Sequence, residues 1–239
     1  MHYFPRMIAM IALLSLAVFY SSNLVQSADK PMPCNVNRPA TPDLAIKVLL
    51  EGNTRWVSGK QEHPGEDHER RECLFKEGQS PFAAILSCSD SRVPPNLIFD
   101  VGPGDLFIAR VAGNSTDDLV DQSLGYAVEH LHSEVVLVMG HSLCGAVKGA
   151  TETYPKSAPY FLSTIYGAVK KAKEIIKQRG GNPNDKAALL TEATDQHVIL
   201  EVQNLRKKQP FKGLIESGKL KIVGARYDLD TGEVKMLIQ

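Results

Sequence analysis

Two clusters of metal-binding residue types stand in the middle of the chain. Cys88-Ser89-Asp90-Ser91-Arg92 follows the apolar run Phe82-Ala83-Ala84-Ile85-Leu86, and His141-Ser142-Leu143-Cys144-Gly145 follows Val135-Val136-Leu137-Val138-Met139. Apolar, β-branched runs that stop at small or polar residues read as buried parallel strands, whose carboxyl ends form the crevice where α/β proteins bind ligands. Two such ends side by side would gather the thiols of Cys88 and Cys144 with the imidazole of His141. That set suits Zn2+ and leaves one tetrahedral position open for chemistry. Taken singly the pieces say much less, since a lone Cys is commonly a small core residue and a lone His at a strand end is commonly just hydrogen-bonded.

Asp90 and Arg92 sit two residues apart, so in extended backbone they point to one side. A guanidinium can then hold a carboxylate in a two-pronged pair beside a ligand Cys. Such pairs are often structural. Here the position next to Cys88 favours a catalytic role, because two thiolates make a bound zinc a weaker acid and something must compensate.

The spacing Cys-x-Asp-x-Arg with His-x-x-Cys about fifty residues later resembles the β-class carbonic anhydrases. The resemblance covers most of the chain after residue 40. It extends to Gln79-Ser80-Pro81, Pro103-Gly104-Asp105-Leu106-Phe107, Arg110-Val111-Ala112-Gly113-Asn114, Leu124-Gly125-Tyr126-Ala127-Val128, Tyr227-Asp228 and Thr231-Gly232. It implies zinc-dependent, reversible hydration of carbon dioxide to bicarbonate and a proton. Cys88, His141 and Cys144 would be permanent ligands and Asp90 a fourth in a shut state only, with Arg92 competing for that carboxylate. Gln79 would donate its amide to the substrate, and apolar Phe107, Ala112 and Tyr126 would wall the pocket. The family also pairs its subunits, with the amino-terminal helix laid across a neighbour, which implies a homodimer or tetramer. One departure is Ile85. Some bacterial members bind a regulatory bicarbonate between a Trp, an Arg and a Tyr; Arg110 and Tyr227 match, but Ile85 stands at the Trp position. Similar folds hydrolyse carbonyl sulfide or carbon disulfide, and a zinc-stabilised binding protein could share the ligands. Retention of both Asp90 and Arg92 argues against that last reading, while nothing in the sequence separates three small, linear substrates.

Charge sets limits on partners. The 239 residues carry 27 Lys plus Arg against 27 Asp plus Glu, which gives no sign of a nucleic-acid or membrane-surface partner. His2 and Arg6, the apolar stretch 7–20 and Val25-Gln26-Ser27 read as a signal peptide over 1–27, too short for a membrane span. The mature protein is then expected in a periplasm or secreted, with no membrane attachment. An oxidising compartment bears on Cys34 and Cys73, which could pair as a disulfide or stay as two inert thiols; sequence leaves both open.

The remaining pattern supplies the elements that must position the site. Residues 28–40, with Pro31, Pro33 and Pro39, read as an extended arm. Thr41-Pro42-Asp43 starts a helix with Leu44, Val48, Leu49 and Trp56 on one face, loosened at Gly52-Asn53. The charged segment 63–71, with His63 and His68, reads as a solvated helix face, because no spacing there supports a second metal site. Strands are expected at 82–88, 106–111, 135–139 and 220–227, with a closing strand at 234–238, and helices from 117 or 118, at 160–177 and at 185–207. Val93-Pro94-Pro95 should stop any early helix. The fold expected is a single α/β domain over 41–239: a mostly parallel four-stranded sheet with a fifth closing strand, flanked by helices, behind an amino-terminal helical arm.

Overall fold

Strand order explains why the two motifs meet. The computed structural model describes residues 34, 38–152 and 160–239, so the expected signal peptide and most of the 28–40 arm lie outside the described residues. Strands β1 (Ala83–Cys88), β2 (Leu106–Val111), β3 (Val135–His141), β4 (Lys221–Tyr227) and β5 (Val234–Ile238) form a sheet in the order β2-β1-β3-β4-β5. The first four are parallel, and β5 returns antiparallel on β4. Every residue of β1 and β3 is buried, as their unbroken apolar runs require. The chain steps outward from β1 to β2, then crosses to the other side for β3. Winding therefore reverses between β1 and β3, and the crevice opens where those strands end. Cys88 is the last residue of β1 and His141 the last of β3.

Helices cover both faces. On one lie α1 (Pro42–Ser58) and α3 (Pro95–Ile98), packed through Ala45, Leu49 and Ile98 onto Ile85, Leu137 and Val223. On the other lie α4 (Asp118–Glu129), α8 (Lys186–Lys207) and α9 (Phe211–Glu216), packed onto Leu86, Val136, Val138 and Ile222. The charged α2 (His68–Glu77) buries no residue of its own. Cys88 and Cys144 join a third cluster with α5 (Gly145–Glu152), α6 (Tyr160–Ser163), α7 (Tyr166–Gln178) and the start of α8. Helix α8 comes unusually close to the sheet at Gly140 and Gly224, where an added Cβ would meet Val198 at 2.7 Å in both cases. Among the described residues no helix is long and apolar enough to cross a membrane.

Four expectations need correction. Gly52 and Asn53 do not loosen α1. A Cβ at Gly52 would lie 1.7 Å from the Phe99 carbonyl oxygen, so only Gly permits this approach. Asn53 donates to the carbonyls of Ile98 (3.2 Å) and Gly232 (2.8 Å) and accepts from the Val234 N–H (2.8 Å). The same contacts pack α1 onto its own chain's core. Pro94-Pro95 begins a one-turn helix instead of stopping one, because Pro suits the first helical turn, where its missing N–H costs nothing. The helix expected over 160–177 is two, broken at Thr164-Ile165, with Ile165 fully buried below the site. Helix α9, too short to show a periodic pattern, was not anticipated.

The two remaining cysteines are paired: Cys34 and Cys73 form a disulfide that fastens the arm to α2. Arg38 continues the attachment by donating to Ser80 Oγ and to the His132 carbonyl.

Candidate metal centre

Cys88, His141 and Cys144 converge, with their ligand atoms all within 4.8 Å of one another. The two sulfurs are 4.0 Å apart. Tetrahedral zinc with bonds of about 2.3 Å to sulfur holds two thiolates about 3.8 Å apart, so the spacing already suits the ion. His141 Nδ1 lies 2.9 Å from the Ser142 carbonyl and, since a carbonyl only accepts, carries the proton. The other nitrogen, Nε2, is buried without a hydrogen-bond partner. A buried lone pair aimed at two thiols is costly unless something binds it. The donor set therefore fits a metal, and thiolate with imidazole favours zinc among common ions.

The thiols share their protons unequally. Cys88 is lowered, first by the hydrogen bond from the Cys144 thiol and further by that from the Gly113 N–H at 3.3 Å, against the opposing effect of burial; Cys144, as the donor, is raised. Leu143, between the ligands of the second motif, adopts a left-handed conformation (φ 56°) that costs a non-glycine residue about 1–2 kcal/mol. That turn brings Cys144 back toward His141 and leaves the Leu143 side chain exposed.

Asp90 and Arg92 stand where the sequence reading put them. Arg92 Nε and Nη2 donate to Asp90 Oδ1 and Oδ2 at 2.9 and 2.7 Å, and the Arg92 N–H adds a third bond at 3.0 Å. These hydrogen bonds, the side-chain pair first, hold the Asp90 carboxyl far below the usual carboxylate range. Asp90 Oδ2 is 3.8 Å from His141 Nε2, so the anion borders the ligand cluster. Arg110 braces this loop from β2, donating to the carbonyls of Cys88 (3.1 Å) and Asp90 (2.6 Å). The Tyr227 hydroxyl accepts from Trp56 Nε1 at 3.2 Å. Both residues matched to a second anion site thus have partners of their own, and Ile85 is fully buried between strands.

Of the four expected pocket residues only Ala112 is near. It is exposed and precedes Gly113, which contacts Cys88. Gln79 precedes the opposite end of β1, and about 17 Å of strand separates Ala83 from Cys88. Phe107 pairs with Ala84, about 13 Å along β2 from the Val111 that pairs with Cys88. Tyr126 packs on Phe107, with ring centroids 6.2 Å apart. These three belong to the outer flank of the chain and do not line its own ligand cluster. His63 and His68 form no second site: His63 lies beside Glu66 (3.5 Å) and His68 beside Arg71 (3.0 Å).

Sequence reasoning passed over the buried polar face of α8. Thr194, His197 and Glu201 fall on the same stripe as Ala193, Val198, Val202 and Leu205. Helical spacing was the available signal, because it places ionisable residues where only apolar ones are expected.

Known proteins agree with this geometry. The family model described as carbonic anhydrase matches residues 83–234. Carbonic anhydrase 2 of Mycobacterium tuberculosis is 34% identical over 196 residues, covering 80% of this chain and 90% of that protein. A carbonic anhydrase of Mycolicibacterium smegmatis is 34% identical over 201 residues, covering 82% and 94%. Among solved structures, a Coccomyxa β-carbonic anhydrase aligns at TM-score 0.62 and 27% identity over 80% of this chain and 85% of that one. A tetrameric β-carbonic anhydrase of Sordaria macrospora shares the fold at TM-score 0.63 and 23% identity over 81% and 97%. Since the matched region holds both strand ends that bear the cysteines and histidine, and relatives a third identical span four-fifths of the chain, the chain belongs to the β-class carbonic anhydrases.

Proposed function

We propose that Cys88, His141 and Cys144 hold one zinc ion and that the chain catalyses the reversible hydration of carbon dioxide to bicarbonate and a proton. The observation that carries this reading is the anionic Asp90, gripped by Arg92 and bordering an unpartnered, buried His141 Nε2. When bound, zinc supplies Lewis acidity that makes water a nucleophile near neutral pH, an effect established for zinc enzymes, carbonic anhydrases among them.

The chain's own residues do the rest. Asp90, ionised throughout the working range, accepts a hydrogen bond from the attacking water and so aims its lone pair at the carbon of the substrate. Arg92 keeps the carboxylate from turning onto the ligand cluster. Arg110 fixes the backbone of both Cys88 and Asp90, so the ligand thiol and the orienting carboxylate keep their relative position. With no polar group required to anchor an uncharged gas, an apolar wall suffices. Stopped-flow measurement of carbon dioxide hydration by the purified, zinc-loaded protein tests the reading, with carbonyl sulfide and carbon disulfide run alongside; turnover of either sulfur substrate without carbon dioxide hydration would refute it.

Assembly as a dimer belongs to the same proposal. Among the described residues β2 is a sheet edge with no further strand beyond it; Phe107, Ile108 and Ala109 are partly buried, and Leu119 and Tyr126 are exposed beside it. A long apolar edge left open invites another chain. A second copy docked there would carry Gln79, Phe107 and Tyr126 toward its partner's ligand cluster, completing a pocket that one chain leaves unfinished. Tetrameric assembly is stated for the Sordaria enzyme. Light scattering should give a dimer or a multiple of it at micromolar concentration, and a monomer would contradict this. Export completes the proposal: the apolar segment at 7–20 and the Cys34–Cys73 disulfide support a periplasmic or secreted protein.

A further inference from the structure

Behind the ligand cluster, α8 buries two ionisable side chains one helical turn apart, His197 at 1% and Glu201 at 3% exposure. His197 Nε2 lies 2.8 Å from the Gly113 carbonyl and 3.3 Å from Ser115 Oγ. A carbonyl only accepts, so Nε2 carries the proton and Nδ1 the lone pair. That Nδ1 has no hydrogen-bond partner and faces Glu201 Oε1 at 3.7 Å. Glu201 Oε2 accepts from Thr116 Oγ1 at 2.6 Å and from the Thr116 N–H at 3.3 Å.

The two side chains thus grip three residues of one turn, Gly113, Ser115 and Thr116, from the side away from the cluster. On the near side, the Gly113 N–H donates to Cys88 Sγ at 3.3 Å. Gly113 has φ +70°, and a Cβ there would meet Ile165 at 2.9 Å and Ala146 at 3.0 Å. The positive φ together with those close contacts suits glycine, and glycine is the residue least able to hold itself in place. An outside clamp is needed.

We propose that His197 is a positioning residue, which with Glu201 behind it holds the Gly113 turn so that its N–H caps Cys88 Sγ and weakens that thiolate as a metal donor. This rests on the zinc reading above and deepens it. Two thiolates blunt the acidity of the metal they bind; a hydrogen bond to sulfur draws charge off the ligand and restores part of that acidity. Burial keeps His197 neutral, with a pKa of about 4, which agrees with the single proton assigned to Nε2.

A purely space-filling His197 would also destabilise the fold when replaced, so the test reads the contact itself. Nitrogen NMR of the imidazoles in the wild-type protein should show His197 as the neutral Nε2–H tautomer at pH 7. The Nδ1–H tautomer could not donate to Gly113 and would overturn the proposal without any variant. In His197→Leu, exchange of the Gly113 amide should quicken by about tenfold or more, because the turn that carries it loses its outside hold. The thiolate-to-metal charge-transfer band of the cobalt-substituted protein should move to lower energy. His197→Gln, whose amide N–H can reach the Gly113 carbonyl, should restore both. Unchanged exchange and band in His197→Leu, or changes that Gln fails to rescue, would assign His197 to packing. Tautomer and exchange are read without metal, so a chain that binds no zinc would sink the zinc reading while leaving the contact measured on its own.

Discussion

Arg92 grips the Asp90 carboxylate with two nitrogens, and one of the gripped oxygens is also the atom 3.8 Å from His141 Nε2. The carboxylate is therefore shared between a guanidinium that holds it back and a ligand cluster that would accept it. Asp90→Asn keeps the shape and removes the charge. Zinc content should be unchanged, and hydration should fall by roughly a hundredfold, the scale on which losing the orientation of a reacting group acts. Metal analysis with stopped-flow kinetics checks this, and full turnover by the variant would remove Asp90 from the mechanism.

The disulfide makes a counting prediction. With Cys34 paired to Cys73, the ligand sulfurs are the free thiols of the chain. Thiol titration of the denatured, chelated protein should give two per chain before reduction and four after. Four before reduction would contradict both the pairing and the oxidising compartment.

Gly140 ties packing to the site, because it directly precedes His141. Gly140→Ala would press a Cβ to 2.7 Å from Val198, and overpacking of that kind costs about 1–3 kcal/mol. The urea midpoint should drop accordingly. Adding Val198→Ala should recover part of the loss, because the two atoms touch. Additive effects of the two changes would show that the contact is not the cause.

Acid should weaken the fold through His197. Burial lowers its pKa to about 4 from an ordinary value of 6.5. Between those values the unfolded chain takes up a proton that the folded chain refuses, so stability is full above pH 6.5 and is lost as pH falls toward 4. A gap of that size is worth roughly 3 kcal/mol. Glu201, raised by burial, acts in the opposite sense, so the comparison should be with His197→Gln, which keeps Glu201. Urea titrations of the metal-free proteins from pH 7 to 4 should show wild type losing the extra stability. Parallel curves would refute the assignment.

The strands were legible because their apolar runs are unbroken and end in polar or turn residues, which left their boundaries little freedom. The ligands were legible because their residue types and spacing select one chemistry. The places of Gln79, Phe107 and Tyr126 were not, since a motif match assigns a residue a role without saying how far along its strand or helix it lies from the ligands. Asn53 looked like a helix breaker because its partners at Gly232 and Val234 are about 180 residues away in sequence. His197 and Glu201 were hidden by the apolar residues that share their helical face, although their charge at core spacing was there to be read.

The central claim is that Cys88, His141 and Cys144 form one zinc site that drives carbon dioxide hydration. Its most direct test is a zinc titration of the metal-stripped protein, followed by stopped-flow hydration at each addition. Activity should rise in proportion to added zinc and break at one ion per chain. Hydration absent at every zinc ratio, or already complete in the stripped protein, would contradict the account.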